Sequence, residues 1–137
     1  MARPKSKAYN IKGHYILQPS TPYKSQAFKG VSNNAKLIFH LMALGYTGHN
    51  NGSIVATFKG FKDLFGLSIS KRTFYHCIDE LIKADLVFRV VKGYKGTASR
   101  FALCLWPIDD TDDVRLSPNI NPSKEPLERY LRHENNE

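Results

Sequence analysis

The chain has 137 residues, 42% hydrophobic and 12% aromatic, enough for one domain with an ordinary core and too much for a chain disordered throughout. Its formal net charge of +8 is unevenly spread: residues 1–106 hold 16 basic and 4 acidic side chains, residues 107–137 hold 4 and 8. The basic part is expected to attract polyanions by counterion release; no apolar run approaches the roughly 20 residues of a membrane span and MARPKSKAYNIKG has no signal-peptide h-region, so a cytoplasmic protein without membrane contact is expected.

Residues 1–13 read as a flexible basic arm, in which Arg3, Lys5, Lys7 and Lys12 could follow a groove or a phosphate backbone. His14–Leu17 is expected to form a short strand, ended by the turn region of Pro19 and Pro22. Ser25–Gly30 reads as a helical turn. Ser32-Asn33-Asn34 then offers capping side chains for a first long helix over Ala35–Leu44, apolar nearly all round and therefore the back of the core. Gly45 can end it. Tyr46–Gly52 is a loop containing the turn dipeptide Asn51-Gly52, and Ser53–Thr57 fits a strand able to pair with a later hairpin.

Phe58–Leu86 reads as two helices joined by a tight turn. Phe58, Phe61, Leu64 and Phe65 form an apolar stripe, and Gly66 follows as a C′ residue free to take positive φ. Leu67-Ser68-Ile69 makes the turn, and Ser70 is the N-cap of the second helix. There Phe74, Ile78, Leu81 and Ile82 form the buried stripe with Cys77 at its border. Lys71, Arg72, Tyr75, His76 and Asp79 point the other way, with Asp79 expected to pair with Lys83 at i+4. Two β-rich runs follow, Leu86–Val91 and Ser99–Trp106, around a loop with Gly93 and Gly96. Helix-turn-helix plus hairpin predicts an α+β winged helix over residues 14–108, with a three-helix core. Ser70, Lys71, Arg72, Tyr75 and His76 are the candidate base-reading face. Lys92, Tyr94, Lys95 and Arg100 are the candidate wing contacts, with Arg3, Lys5 and Lys7 on the arm.

Residues 109–137 form an acidic tail carrying Asp109, Asp110, Asp112 and Asp113, punctuated by Pro118, Pro122 and Pro126. Leu127–Arg132 can form a short helix whose apolar side needs a partner, either its own domain or another chain. Cys77 and Cys104 are expected to be buried free thiols. The histidines are scattered, no close cysteine pair has zinc spacing, and there is no phosphate-binding glycine loop, so neither metal, cofactor nor enzymatic activity is expected.

With these pieces in order, the chain resembles small winged-helix proteins of phages, plasmids and integrative elements, including the N-terminal DNA-binding domains of phage replication initiators. The matching pieces are YKSQAFKGVSNNAKLIFHLMAL from Tyr23 to Leu44, GYTGHNNGSI, the helix pair with ELIKADLVFRV, and the hairpin end SRFALCLWPID. The resemblance implies double-stranded DNA binding with the second helix as reader, and a replication or transcription role.

The expected function is a sequence-specific DNA-binding regulator, repressor-like, of a mobile genetic element. Two alternatives stand beside it: a replication-initiation protein, and a winged-helix module that modulates host machinery by binding a protein, for which the C-terminal tail is the candidate contact. A homodimer is expected too, since one reading helix contacts few base pairs; the apolar segments His14–Leu17 and Leu127–Leu131 are its candidate surfaces.

Overall fold

The computed structural model describes residues 12–93, 96–110 and 120–134. Arg3, Lys5 and Lys7 of the arm, Tyr94 and Lys95 of the hairpin loop, and most of the acidic run lie outside them.

Four helices and a three-stranded antiparallel sheet make an α+β fold. After a 3-10 turn at Thr21–Lys24 come α1 (Gln26–Gly30), α2 (Asn33–Ala43), β1 (Ile54–Val55), α3 (Phe58–Phe65), α4 (Lys71–Lys83), β2 (Val87–Val91) and β3 (Arg100–Leu103). The expected succession of helix, strand, two helices and two strands is therefore present, with α1 a fourth helix in front of it.

Capping side chains fix where these helices begin. Ser25, Ser32, Thr57 and Ser70 each accept a hydrogen bond from a backbone N–H of the first turn that follows, satisfying a donor the helix itself cannot. α3 ends at Gly66, whose φ of 66° lies in the left-handed region where a side chain is strained. Glu80 of α4 reaches across to α2, its carboxylate accepting from the Ser32 backbone N–H at 2.5 Å and from the Ser32 hydroxyl at 2.9 Å. One residue thus ties the start of α2 to the last turns of α4.

α2 and α4 pack against each other over Ile38, Phe39, Met42, Phe74, Ile78 and Leu81, all essentially without solvent contact. Cys77 is fully inside this core rather than at its border, and Cys104 is buried as well; both are free. Burial pushes the Cys104 thiol up to about 12. Leu64 departs from expectation: it is 75% exposed. Six residues at 100° each leave it about a third of a turn from Phe58, so only Phe58, Phe61 and Phe65 face the core. Asp79 and Lys83 form no ion pair among the described residues; the i,i+4 pair that does form is Lys59–Asp63 on α3, at 3.3 Å.

The sheet order is β1–β3–β2, with Ile54 opposite Phe101 and Val87 opposite Leu103. A register shift between Arg89 and Val91 gives β2 one extra residue there, which bends the hairpin. The strands are shorter than expected. Ser53–Thr57 contributes only Ile54–Val55, and β3 stops at Leu103; the Cys104 N–H still donates to the Leu86 carbonyl at 3.0 Å, and beyond it the chain passes over Asn51. Asn51 has no solvent exposure. Its amide nitrogen donates toward the carbonyls of Leu103 (3.0 Å), Trp106 (2.9 Å) and Pro107 (3.0 Å), and its Oδ1 accepts from the Leu103 N–H at 2.8 Å.

His14–Leu17 is not a strand. It is held by side chains instead of a ladder: Trp106 Nε1–H donates to the Leu17 carbonyl at 2.8 Å, and His14 Nε2 lies 3.0 Å from the Tyr46 carbonyl. Trp106 in turn stacks on Tyr46, with ring centroids 3.8 Å apart.

Residues 120–134 fold back onto the body, so the apolar side of the tail finds its partner within its own chain. Ile120 and Tyr130 are buried, Pro126 bridges to Pro107, and the Ser123 N–H donates to the Ile108 carbonyl at 2.9 Å. The helix there is a 3-10 turn, Arg129–His133, displaced from the expected Leu127–Arg132. The Arg129 guanidinium lies 5.6 Å from the centre of the Phe88 ring, covering the sheet face opposite α4, which explains why Phe88 and its partner Ala102 are both buried. Arg132 (2.8 Å) and His133 (3.0 Å) meet the Asp85 carboxylate, and Glu134 accepts from the Gln26 N–H at 2.8 Å. Asp85 itself has φ 61°, the left-handed corner that ends α4. Among the described residues no helix is long and apolar enough to cross a membrane.

Candidate functional site

The outer face of α4 projects away from the core because its buried stripe, Phe74, Cys77, Ile78 and Leu81, recurs at helical spacing. What remains outside is Lys71, Arg72, Tyr75, His76 and Asp79, all exposed. Arg72, Thr73, Tyr75, His76 and Asp79 line a shallow, open concavity along this face. The sequence thus identified the surface correctly as a surface, and α4 brings its members together.

Two of the candidate residues have structural work as well. The Ser70 hydroxyl accepts from the Thr73 N–H at 3.1 Å and donates to Thr73 Oγ1 at 3.0 Å, so it is occupied as a cap. Tyr75 is 41% exposed, yet its hydroxyl accepts from the Phe58 N–H at 3.3 Å at the start of α3. Its ring meets Phe74 edge-on, with centroids 5.0 Å apart. Tyr75 therefore sets the spacing between the two helices as well as offering a ring to solvent.

A second concavity opens between α4 and the hairpin. It is lined by Ala56, Thr57, Tyr75, Arg89, Gly93, Thr97, Ala98, Ser99 and Phe101. Tyr75 belongs to both hollows, so they adjoin at its side chain, one along α4 and the other between α4 and the hairpin. Gly93 makes this shape feasible: a Cβ there would lie 2.5 Å from the Ser99 nitrogen and 2.7 Å from the Thr97 carbonyl oxygen, inside backbone that cannot yield. Its N–H donates to the Ser99 hydroxyl at 2.8 Å, closing the root of the loop.

Of the expected hairpin contacts, Lys92 is exposed just beyond β2. Arg100 does not line this hollow. It is half-buried on β3 opposite Val55, and its Nη1 donates to the Ser53 hydroxyl at 3.4 Å. Alternation along β3 puts Phe101 toward the hollow and Arg100 on the other face. The residue that occupies the place expected of Arg100 is Arg89, exposed on β2 opposite Phe101, with its guanidinium 5.6 Å from the centre of that ring. One signal could have found it: Arg89 is the lone charge in the run Leu86–Val91, where an apolar side chain would be expected if the position faced the core.

Among the described residues no group of three or more histidine, cysteine or acidic side chains stands close enough to hold a metal ion. The surface can therefore be described as donor-rich, basic and aromatic, with Asp79 its acid. No protein-family model, curated protein or solved structure matches the chain.

Proposed function

We propose that the protein is a winged helix that binds double-stranded DNA in the cytoplasm as a sequence-specific regulator of a mobile genetic element. In this reading α3 and α4 are the helix-turn-helix, α4 enters the major groove, and the β2–β3 hairpin is the wing. The observation that carries it is the pair of hollows that meet at Tyr75, one with Arg72 and the other with Arg89 in its lining. A helix start bearing Lys71 and Arg72 stands clear of the body, and the hollow beside it carries an arginine and no acid among its described lining residues. Lys71 and Arg72 offer donors to base edges or phosphates; Lys92 and the hairpin hold the backbone. The wider charge asymmetry, a basic body against an acidic C-terminal part, supplies the attraction at long range.

The regulatory role rests on the resemblance to small winged-helix proteins. A replication initiator is the alternative within the same binding chemistry. Two-fold pairing on DNA is part of the proposal, since it places two reading helices about 34 Å apart on one face of the duplex.

Selection of bound sequences from a random duplex pool, followed by titration in low salt, tests the reading. A selected site bound about 10³-fold or more tighter than mixed DNA is the expected result. Binding that is undetectable with mixed DNA at low salt refutes it. The position of the selected site, at a promoter or at an origin, separates regulator from initiator.

A further inference from the structure

Arg89 is placed in a way that the sequence-based assignment of contacts does not explain. It is exposed, and its guanidinium rests against the Phe101 ring at 5.6 Å. Among the described residues no hydrogen bond or ion pair holds it, and no carboxylate lines its hollow. A cation held against a ring gives up part of its conformational freedom in advance, so a partner meets it with less ordering cost.

Thr57, Tyr75, Thr97 and Ser99 bring four hydroxyls to the hollow, and three of them have their acceptor side used by a backbone N–H. Gly60 N–H donates to Thr57 Oγ1 at 3.1 Å, Phe58 N–H to the Tyr75 hydroxyl at 3.3 Å, and Gly93 N–H to the Ser99 hydroxyl at 2.8 Å. A hydroxyl that already accepts still has its proton to give. The walls are therefore rich in donors around a cation, which is the chemistry of an oxyanion seat. Because Tyr75 also belongs to the α4 surface, an anion in this seat lies immediately beside whatever α4 contacts.

We infer that this hollow seats one backbone phosphate of a DNA duplex, with Arg89 as its principal ligand and the hydroxyls of Thr57, Tyr75 and Ser99 as donors around it. The phosphate fixes the depth and angle at which α4 approaches the bases. The inference rests on the DNA-binding reading and adds to it a specific residue outside α4 and the hairpin loop.

The test is the salt dependence of binding to a mixed-sequence duplex, compared among the intact protein, Arg89→Ala, Arg89→Lys and Lys29→Ala. Lys29 is exposed on α1 and lines neither hollow. Each phosphate contact contributes about 0.9 to the slope of log K against log salt. Arg89→Ala is expected to lower the slope by about one contact and to weaken binding roughly eightfold at 0.1 M salt relative to 1 M. Arg89→Lys keeps the slope, and Lys29→Ala changes it less than Arg89→Ala does. All variants should melt with the intact protein, since both side chains are exposed. An unchanged slope for Arg89→Ala, with the intact protein binding normally, overturns the phosphate seat alone. No binding by the intact protein at low salt overturns the DNA reading and the seat together. A titration with inorganic phosphate forms the remaining arm: if free phosphate competes no better against the intact protein than against Arg89→Ala, the seat needs the duplex, as inferred; selective competition at micromolar phosphate makes it a small-anion site and overturns the assignment to DNA.

Discussion

Replacing Asn51 with alanine is predicted to destabilise the fold by about 3–5 kcal/mol. The magnitude follows from its partners. The Leu103 N–H, in a residue with no solvent exposure, loses the Oδ1 acceptor, and orphaning a buried donor costs about 1–3 kcal/mol. The two amide hydrogens, shared among the carbonyls of Leu103, Trp106 and Pro107, contribute about 1 kcal/mol each on the same scale. The bonds of the Asn51 backbone survive the change, its N–H donating to the Asp109 carboxylate and its carbonyl accepting from the Asp109 N–H, both at 2.8 Å, which limits the loss. Against a total stability of about 5–15 kcal/mol, the effect is large and readable by guanidinium titration with circular dichroism. Asn51→Asp makes the sharper test. The introduced carboxylate still accepts from Leu103 but faces three carbonyls, so in the folded state it holds its proton above the unfolded value of about 3.9. A raised acid stabilises below its unfolded pKa and loses that contribution as pH climbs. This variant should therefore be weakest near neutrality and recover as the pH is lowered toward 4, relative to the intact protein at each pH. An Asn51→Ala midpoint within the equivalent of about 1 kcal/mol of the intact protein would mean that these bonds do not hold the fold, because a satisfied buried amide cannot be removed at so small a loss.

Tyr130→Ala, by stripping the buried anchor of the returning tail, should cost about 2–4 kcal/mol and speed tryptic cleavage at Lys124, Arg129 and Arg132; unchanged cleavage would show that the tail is held without it. Burial pushes both the Tyr23 hydroxyl and the Cys104 thiol up to about 12, from ordinary values of 10.0 and 9.0. Both therefore favour the folded state below their unfolded pKa and cease to do so as the pH rises, so the denaturation midpoint should fall from about pH 8 to about pH 10.5, less steeply for Cys104→Ala. A flat midpoint over that range counts against it. Leu64→Lys should leave stability within about 0.5 kcal/mol, as the side chain is solvated; a larger loss on thermal melting would mean that Leu64 has a partner. Lys71→Ala and Arg72→Ala should melt like the intact protein while reducing discrimination between the selected site and mixed DNA by about 1–3 kcal/mol for a bidentate contact, measured by competition titration.

Features that depend on near neighbours are legible in the chain before it folds. Ser32 and Ser70 cap the helices that follow them, Gly66 ends α3, and Phe74, Ile78 and Leu81 mark the inner side of α4, because each of these signals acts over one or two turns. The separation of Lys71, Arg72, Tyr75 and His76 from the core follows from the same period. What lay beyond the sequence depends on partners far along the chain. Asn51 reads as a turn residue, and only folding sets its amide against Leu103, 52 residues away. The same is true of Glu80 on Ser32, 48 residues apart, and of the tail that closes over Phe88. His14–Leu17 has strand-forming residues, but a strand needs a free neighbouring edge in register, and Trp106 and Tyr46 offer that segment side chains and a carbonyl instead. On the hairpin, alternation alone cannot say which face is covered; the register of β2 on β3 does, and it brings Arg89 rather than Arg100 to the hollow beside α4. Local order is written in spacing, whereas a site between elements exists only once packing has chosen which faces meet.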